Sequence, residues 1–328
     1  MALTADTQIP TSEEWVRLDM LNKEHVVFDQ LGQPININTI QHYTPTECYE
    51  VEFDDGLTIQ GDKHLTFMLQ DKKWRDRLGE SMRLKDRKMY RGMRRPLVRL
   101  TVEELYAKSV HHKDGRLNYS VPNCLPVQYG YKDLPVPPYI FGVWFASLTP
   151  VGRMWLRDKP LNKMQRIFRS YGHFIKTYKH KNGHVLFDIR PSVRDSFLFA
   201  GLPIPTSLPF YYLDGNVDQR IELLEGLIDG GFIKKYKDSD LHVAQDPNYH
   251  VMRKIQGLVE SFGIKTTLHT PSQTASYALK FRLDGNFPII YGKNRRFVTK
   301  ITKIPPKPCV YVDTGTQFLV GEGFISVC

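Results

Sequence analysis

The first seventy residues and the last thirty alternate short apolar runs with turn-forming residues. The pattern is clear in residues 26–35 (VVFDQLGQPI), 48–56 (CYEVEFDDG), 57–69 (LTIQGDKHLTFML) and 298–328. Alternation with a period of two predicts strands, and the Gly and Asp residues between the runs predict hairpin turns. We therefore expect an all-β module that is split by the middle of the sequence.

The middle of the sequence has the pattern of helices instead. Residues 137–149 (PPYIFGVWFASLT) and 223–232 (LLEGLIDGGF) are apolar runs with a glycine, and Gly142 precedes Gly226 by 84 positions. Such runs predict buried helices. Further helices are predicted at 161–177 and 248–263, and strands at 177–189, 230–245, 265–270 and 276–283.

Length and composition indicate a globular protein of more than one domain. The 328 residues exceed the usual size of a domain, and the 41% hydrophobic share is enough for a core. No run of eighteen apolar residues and no secretion signal occurs, so we expect a cytoplasmic protein without a membrane partner. The scattered Cys48, Cys124, Cys309 and Cys328 argue against a zinc knuckle and a disulfide framework, and Cys48 and Cys309 are interpreted as inert core thiols.

The net charge of +10 is concentrated in the middle of the chain. Residues 111–300 hold 27 Lys and Arg against 15 Asp and Glu, and residues 72–99 form a second basic run. A basic segment between acidic flanks is typical of a module that binds a phosphate backbone. Double-stranded DNA is therefore the expected partner of the middle segment.

Residues 223–232 closely resemble the helix motif of LAGLIDADG homing endonucleases. In that family two such helices pack together, and the last turn of each supplies a carboxylate that binds Mg²⁺. The resemblance places Gly231 and Ser147 at the two acid positions, so both carboxylates are lost. Asp229 lies two residues earlier and points about 200° away around the helix. The resemblance thus implies a degenerate endonuclease that binds no Mg²⁺ and does not cut DNA.

The same resemblance implies two pseudo-symmetric αββαββα halves, of which the first is shortened. Each half of the family's fold carries a sheet that lies in the DNA major groove. The candidate DNA-contacting residues on the predicted strands are Lys234, Lys235, Lys237, Lys280 and Arg282.

The flanking segments resemble an intein, a self-splicing Hint domain. The resemblance rests on residues 2–21 (ALTADTQIPTSEEWVRLDML), 48–64 (CYEVEFDDGLTIQGDKH) and 309–328 (CVYVDTGTQFLVGEGFISVC). It implies a mainly-β, horseshoe-like splicing domain at 1–112 and 295–328, interrupted by the α+β LAGLIDADG domain at 113–294. The closest relatives in this resemblance are endonuclease-bearing inteins of phage terminases and replicative helicases.

The intein resemblance assigns roles near the first splice junction. Ala2 takes the position of the nucleophile, and a methyl group cannot attack the preceding carbonyl. His64 matches the histidine that protonates the departing amide nitrogen. Gly61 stands where the family often has Thr, which leaves Asp62 as a local substitute.

Near the second junction, Cys328 aligns with the penultimate histidine and no terminal Asn follows it. Asp313 and Gln317 are implied to line the site. The chain is therefore predicted to be blocked in splicing, either by engineering or by natural loss.

We expect a monomer whose partners are host-protein exteins and DNA, with no cofactor for splicing. Three other functions stay open: an active site-specific homing endonuclease, a non-cleaving DNA-binding module, and a hedgehog-type autoprocessing domain. The DNA-binding module leaves the split β-frame unexplained, and the autoprocessing domain leaves the inserted helix pair unexplained.

Overall fold

A computed structural model describes most of the chain. The described residues are 2–72, 75, 97–146, 153–156, 161–173, 176–179, 185–188, 208–236, 239–271, 276–283 and 295–328. The chain divides into two compact units. Unit 1 comprises Met1–Gln128, Glu260–Lys265 and Ile289–Cys328, and unit 2 comprises Tyr129–Val259 and Thr266–Pro288. The domain boundaries predicted from the sequence are 112/113 and 294/295.

Unit 1 is built on an antiparallel sheet in which the spatial order of the strands differs from their order along the chain. The described residues contribute nine strands to this sheet. In spatial order these are β10 (Val98–Thr101), β9 (Thr66–Asp71), β11 (Tyr119–Pro122), β19 (Arg295–Ile304), β7 (Cys48–Phe53), β8 (Thr58–Asp62), β1 (Ala2–Thr4), β20 (Cys309–Asp313) and β6 (Thr39–Tyr43). Strands from both ends of the sequence are therefore neighbours in one sheet, as the split pattern predicted.

Short hairpins and one short helix complete unit 1. The hairpins are β2 (Gln8–Pro10) with β3 (Trp15–Arg17), β4 (Val26–Phe28) with β5 (Pro34–Asn36), and β21 (Phe318–Val320) with β22 (Ile325–Val327). Helix α1 (Val102–Tyr106) begins at a capping box, in which Thr101 and Glu104 satisfy each other's backbone amides. A 3₁₀ turn spans Leu18–Met20.

The two faces of strands β1, β7, β8 and β20 bury different kinds of side chain. One face contributes Leu3, Val51, Ile59 and Val310 to the main hydrophobic core. The other face carries a small separate cluster of Ala2, Cys48 and Cys309. Because side chains alternate along a strand, the register that puts Leu3 into the core turns Ala2 toward the thiols.

Unit 2 is organised around two closely packed helices, α2 (Pro138–Ala146) and α4 (Val217–Gly230). Every residue of α2 is buried, as expected for a helix that is apolar on all sides. A Cβ added to Gly142 would lie 2.5 Å from the Leu223 carbonyl oxygen, and one on Gly226 would lie 2.3 Å from the Tyr139 carbonyl oxygen. The glycines thus allow the two backbones to approach, as the sequence predicted.

The two helices are followed by similar but unequal sets of elements. After α2 come β12 (Arg153–Leu156), α3 (Leu161–Ser170), β13 (Lys176–Lys179) and β14 (Val185–Asp188), with strands in the order β12, β14, β13. After α4 come β15 (Ile233–Lys235), β16 (Leu241–Asp246), α5 (Tyr249–Glu260), β17 (Thr266–His269) and β18 (Tyr277–Arg282), in the order β15, β16, β18, β17. Within the described residues, the first set is one strand shorter. A 3₁₀ turn at Phe210–Tyr212 precedes α4.

The helix predicted at 161–177 is shorter than expected. It ends at Ser170, and the chain then turns at Gly172, whose φ of +75° favours glycine. The amide of His173 bonds back to the Phe168 carbonyl oxygen at 2.9 Å, which closes the helix end. Strand β13 therefore begins at Lys176, inside the segment that apolar spacing assigned to the helix.

Candidate functional site

Ala2 lies buried on strand β1, between two neighbouring strands. It pairs with Tyr311 of β20, and the next residue, Leu3, pairs with Gly61 of β8. The Ala2 side chain packs with Cys48 and Cys309, and all three are at most 1% exposed. The residue at the predicted nucleophile position therefore contacts two thiols that belong to other strands.

Gly61 has a steric reason to be glycine. A Cβ at this position would lie 2.5 Å from the Ala2 carbonyl oxygen and 2.9 Å from a methyl carbon of Leu65. The strand that carries Gly61 thus runs too close to the Ala2 backbone for any side chain. A threonine, which the intein resemblance implies for this position, would not fit here without a shift of the Ala2 backbone.

The two thiols are close to each other and deeply buried. Cys48 Sγ and Cys309 Sγ lie 3.9 Å apart. Burial, followed by the neighbouring Cys48, raises the pKa of the Cys309 thiol to about 12, so this thiol is neutral near pH 7. Their burial agrees with the sequence interpretation, but they belong to the Ala2 cluster and not to the main core.

Asp62 is a buried carboxylate next to this cluster. It is 2% exposed and pairs with Cys48 across strands β7 and β8. The Tyr43 hydroxyl donates a 2.6 Å hydrogen bond to Asp62 Oδ2, and the His64 amide donates to Asp62 Oδ1 at 3.1 Å. Burial and this hydrogen bond raise the pKa of Tyr43, so the phenol remains a donor at neutral pH.

His64 lies in the turn between strands β8 and β9, and it is exposed to solvent. The turn is closed by the Leu65 amide, which donates to the Asp62 carbonyl oxygen at 3.1 Å. The Thr66 hydroxyl donates to the His64 carbonyl oxygen at 2.7 Å. The imidazole is thus in contact with water while the backbone of His64 is held at both its amide and its carbonyl group.

Cys328 lies against the same segment. Its amide donates to the Thr66 carbonyl oxygen at 3.0 Å. Burial raises the pKa of the Cys328 thiol above its ordinary value. Ala2 and Cys328 therefore both contact the stretch from Gly61 to Thr66, on either side of His64, although they are far apart in sequence.

Asp313 and Gln317 have local hydrogen-bond partners. Asp313 Oδ1 accepts a 2.9 Å bond from the Gly315 amide, which stabilises a turn. Gln317 Oε1 accepts a 2.8 Å bond from the Ser326 hydroxyl and so joins β21 to β22. Asp313 is two positions beyond Tyr311 on β20, so it lies on the same face as Ala2.

In unit 2, the ends of α2 and α4 form a cleft of about 410 Å³. Gly231 lines this cleft and caps α4 with a φ of +91°, in the left-handed region. The described lining residues include no carboxylate and instead supply two lysines; they are Ala146, Gly231, Phe232, Lys234, Lys235, Tyr236, Val243 and Gln245. Ser147, the other predicted acid position, lies outside the described residues.

Asp229 is engaged in contacts between elements of unit 2. Its Oδ2 accepts a 2.8 Å hydrogen bond from the Tyr139 hydroxyl and lies 2.9 Å from Lys163 Nζ. Its side chain is only 12% exposed. Burial and this hydrogen bond raise the pKa of Tyr139. Asp229 therefore joins α4 to α2 and α3.

Three of the predicted DNA-contacting residues share one face of the unit 2 sheet. Lys234 and Lys280 both pair with Val243, and Arg282 lies two positions beyond Lys280 on the same strand. All three are exposed. Lys235 is also exposed, but as the next residue on β15 it projects from the opposite face. Lys237 lies outside the described residues.

Two groups near Ala2 were missed as functional candidates by the sequence reasoning. Tyr43 carries no motif signal, and its partner Asp62 is 19 positions away. The apolar strand pattern around Cys309 predicts only an inert core thiol. The sequence signal that points to Cys309 is the absence of a nucleophile at residue 2. Since Ala2 has no nucleophilic group, a thiol of the β-frame that lies next to Ala2 becomes a candidate.

Comparisons with known proteins give one curated relative and several solved structures. The chain is 23% identical over 346 residues to a replicative DNA helicase DnaB of Mycobacterium intracellulare, covering 98% of this chain and 57% of that protein. The chain thus spans just over half the length of the curated relative that it matches. No family model matches the sequence.

Similar solved structures include an intein splicing domain and an intein. The Msm DnaB1 intein splicing domain bound with zinc is 25% identical over 21% of this chain and 55% of that chain, with a TM-score of 0.20. The gp41-1 intein is 11% identical over 36% of this chain and 73% of that chain, with a TM-score of 0.23.

The described residues contain neither a candidate membrane-spanning helix nor a candidate metal-binding cluster. None of the helices in the described part of the chain is long and apolar enough to span a membrane. Within the same residues, no three His, Cys, Asp or Glu side chains are grouped so that they could hold a metal ion.

Proposed function

We propose that unit 1 is an intein splicing domain. The observation that carries this proposal is that Ala2 and Cys328 both contact the Gly61–Thr66 segment that bears His64. Splicing joins the two flanks of an intein, so the residues next to both junctions must lie beside one set of catalytic groups. The similarity to the DnaB helicase supports a replicative helicase as the class of host protein.

The first step of splicing cannot use residue 2 itself. Transfer of the preceding acyl group requires a thiol or hydroxyl, and Ala2 has neither. If no other group replaces it, the chain is blocked at this step. His64 is proposed as the proton donor to the departing nitrogen, because imidazole gains and loses a proton near neutral pH.

A second candidate for this step follows from the packing of Ala2 against Cys309. In this alternative Cys309 Sγ attacks the carbonyl carbon of residue 1, and the bond from that carbon to the Ala2 nitrogen breaks. A thioester forms on Cys309, and the thiol proton is transferred by way of His64 to the released Ala2 amine. Because the pKa of Cys309 is about 12, deprotonation must accompany the attack.

The experiment is to place the chain between two marker proteins and to follow the products by mass spectrometry with and without added thiol. Thiol-dependent cleavage before Ala2 that is lost in Cys309→Ala, and retained in the matched variant Cys48→Ala, supports Cys309 as the acceptor. Cleavage that appears only after Ala2→Cys supports the blocked state. In either background His64→Ala should slow cleavage. Absence of cleavage in both backgrounds contradicts the intein proposal.

We propose that unit 2 is a LAGLIDADG-type domain that binds DNA without cutting it. The close glycine packing of α2 and α4 supports the family resemblance. Exposed Lys234, Lys280 and Arg282 on one sheet face support binding to phosphates. The lysines and the missing carboxylate at the cleft disfavour Mg²⁺ and hence hydrolysis.

DNA binding is tested by measuring affinity across a salt series. Changing Lys234, Lys280 and Arg282 to Ala together should weaken binding and lower the slope of log affinity against log salt by up to about 3. The control changes Lys23, Lys108 and Lys113, three exposed lysines of unit 1, to Ala. Equal losses in the two triple variants contradict a specific sheet surface. Double-strand cleavage with Mg²⁺ or Mn²⁺ contradicts the non-cutting proposal.

A further inference from the structure

A series of hydrogen bonds runs from strand β6 to the turn that carries His64. The Tyr43 hydroxyl donates to Asp62 Oδ2, Asp62 Oδ1 accepts the His64 amide, and the Thr66 hydroxyl donates to the His64 carbonyl oxygen. The backbone of His64 is thereby fixed at both its amide and its carbonyl group. The first contact spans strands that are not neighbours in the sheet.

We propose that Tyr43 is a positioning residue for His64 and acts through Asp62. The proposal rests on the proposed splicing function for its consequence, but not for the hydrogen bonds themselves. Tyr43 does not touch the bond that breaks in this scheme. It fixes the orientation of the Asp62 carboxylate, and the carboxylate fixes the turn from which the imidazole extends.

Asp62 needs such a partner because it is buried. A carboxylate that is 2% exposed is costly unless its oxygens accept hydrogen bonds. The Tyr43 hydroxyl and the His64 backbone amide each donate a hydrogen bond to one carboxylate oxygen of Asp62. Without the phenol, Asp62 Oδ2 would gain stability by rotating toward water, and that rotation would withdraw Oδ1 from the His64 amide.

The packing around residue 61 explains why the side chain that accepts the His64 amide comes from Asp62 and not from residue 61. A side chain at Gly61 is excluded by the Ala2 carbonyl oxygen. The next position, Asp62, faces the same side of the sheet as Ala2, because it pairs with Cys48 of the Ala2 cluster. The side chain that orients the turn therefore comes from position 62 and is supported from β6.

Two thiols and a phenol lie close to Asp62. Cys309 and Cys48 lie on one side and Tyr43 on the other. The pKa of Cys309 and that of Tyr43 are both raised by burial first, and the Asp62 charge adds to both. The Tyr43 hydroxyl, which the raised pKa keeps protonated at neutral pH, is therefore the side-chain donor that holds Asp62 Oδ2 in place.

The decisive measurement is hydrogen exchange of the His64 backbone amide by NMR, made on the intact chain. Tyr43→Phe should speed this exchange about tenfold, since a charge-assisted hydrogen bond is weakened. Asp62→Ala should do at least as much, whereas Asp62→Asn keeps an acceptor for the His64 amide and should remain near wild type. Tyr106→Phe, an exposed tyrosine on α1, is the control for loss of a hydroxyl.

Unchanged His64 exchange in Tyr43→Phe overturns the proposal, provided that the variant folds as judged by its other amide signals. The cleavage assay supplies the second readout. There Tyr43→Phe should slow cleavage before residue 2 and displace the acid limb of its pH profile, and Asp62→Asn should largely retain the rate. If cleavage is absent both in the wild-type chain and after Ala2→Cys, the splicing proposal fails, while the exchange data still decide whether Tyr43 positions His64.

Discussion

The Ala2 cluster of unit 1 and the helix-end cleft of unit 2 each lack, among the described residues, a group that the family resemblance predicts, but they differ in what surrounds the predicted position. Around Ala2, the polar groups remain and are hydrogen-bonded: Tyr43 to Asp62, and Asp62 to the turn of His64. Around Gly231, the described lining residues provide lysines and no carboxylate. The helix packing nevertheless persists.

Helix packing in unit 2 is therefore independent of the catalytic groups, whereas the packing around Ala2 in unit 1 is not. Gly142 and Gly226 maintain the contact of α2 with α4 without any catalytic group. In unit 1, by contrast, a buried carboxylate is stable only with its partners, so chemistry and structure depend on the same residues. Mutations should therefore affect stability in unit 1 chiefly through buried charge, and in unit 2 chiefly through backbone contact.

The largest effect is expected at a buried ion cluster of unit 1. Arg296 is 3% exposed, and its Nε lies 2.6 Å from Asp55 while its Nη2 lies 3.2 Å from Glu260. Arg296→Met leaves two buried carboxylates without their cation and should lower the free energy of unfolding by about 3–5 kcal/mol. The matched control is Arg17→Met, because Arg17 and Asp19 form an exposed pair worth about 0–1 kcal/mol. Denaturant unfolding of both variants measures the difference, and similar losses would contradict it.

The second effect concerns the helix contact of unit 2. Gly226→Ala places a Cβ 2.3 Å from the Tyr139 carbonyl oxygen and should destabilise unit 2 by about 1–3 kcal/mol. Gly257→Ala on α5 is the matched control, since its Cβ meets nothing within 4 Å. That variant should instead stabilise the helix by about 0.5–1 kcal/mol. Peptide-resolved hydrogen exchange compares the two, and equal protection would show that α2 and α4 can move apart without cost.

The sequence predicted those features that are encoded locally. Alternation predicted the strands, apolar runs predicted the buried helices α2 and α4, and the contact between these helices was implied by the resemblance of residues 223–232 to a known helix motif. The relation of Tyr43 to Asp62 and that of Cys48 to Cys309, 261 positions apart, depend on strand order and register. These are set by the whole sheet. The helix predicted at 161–177 is longer than the observed one because the apolar spacing of the sequence continues past Gly172, where the backbone turns.

A third experiment tests whether the missing carboxylate can be restored at Gly231. The φ of +91° there penalises any side chain, so Gly231→Ala should cost about 1–2 kcal/mol. Gly231→Asp adds a negative charge at a helix C-terminus, which costs roughly a further 0.3–1 kcal/mol. In a Ser147→Asp, Gly231→Asp variant, Mg²⁺ should recover the charge penalty but not the backbone strain. Thermal unfolding with and without Mg²⁺ checks this, and full recovery to wild-type stability would mean that Gly231 is not strained by a side chain.

The smallest effect is a pH dependence of unit 2. His242 is 5% exposed and stacks on Phe281, and burial lowers its pKa from the ordinary 6.5. The folded state therefore binds fewer protons than the unfolded state below pH 6.5, so unit 2 should lose stability as the pH falls below that value. His242→Gln should flatten this acid dependence, whereas His269→Gln, at an exposed position of β17, should not. Hydrogen exchange of unit 2 peptides from pH 7 to pH 5 measures the slope. An equal slope in wild type and His242→Gln would assign the acid sensitivity to other groups, and would leave backbone contact as the dominant control of stability in this unit.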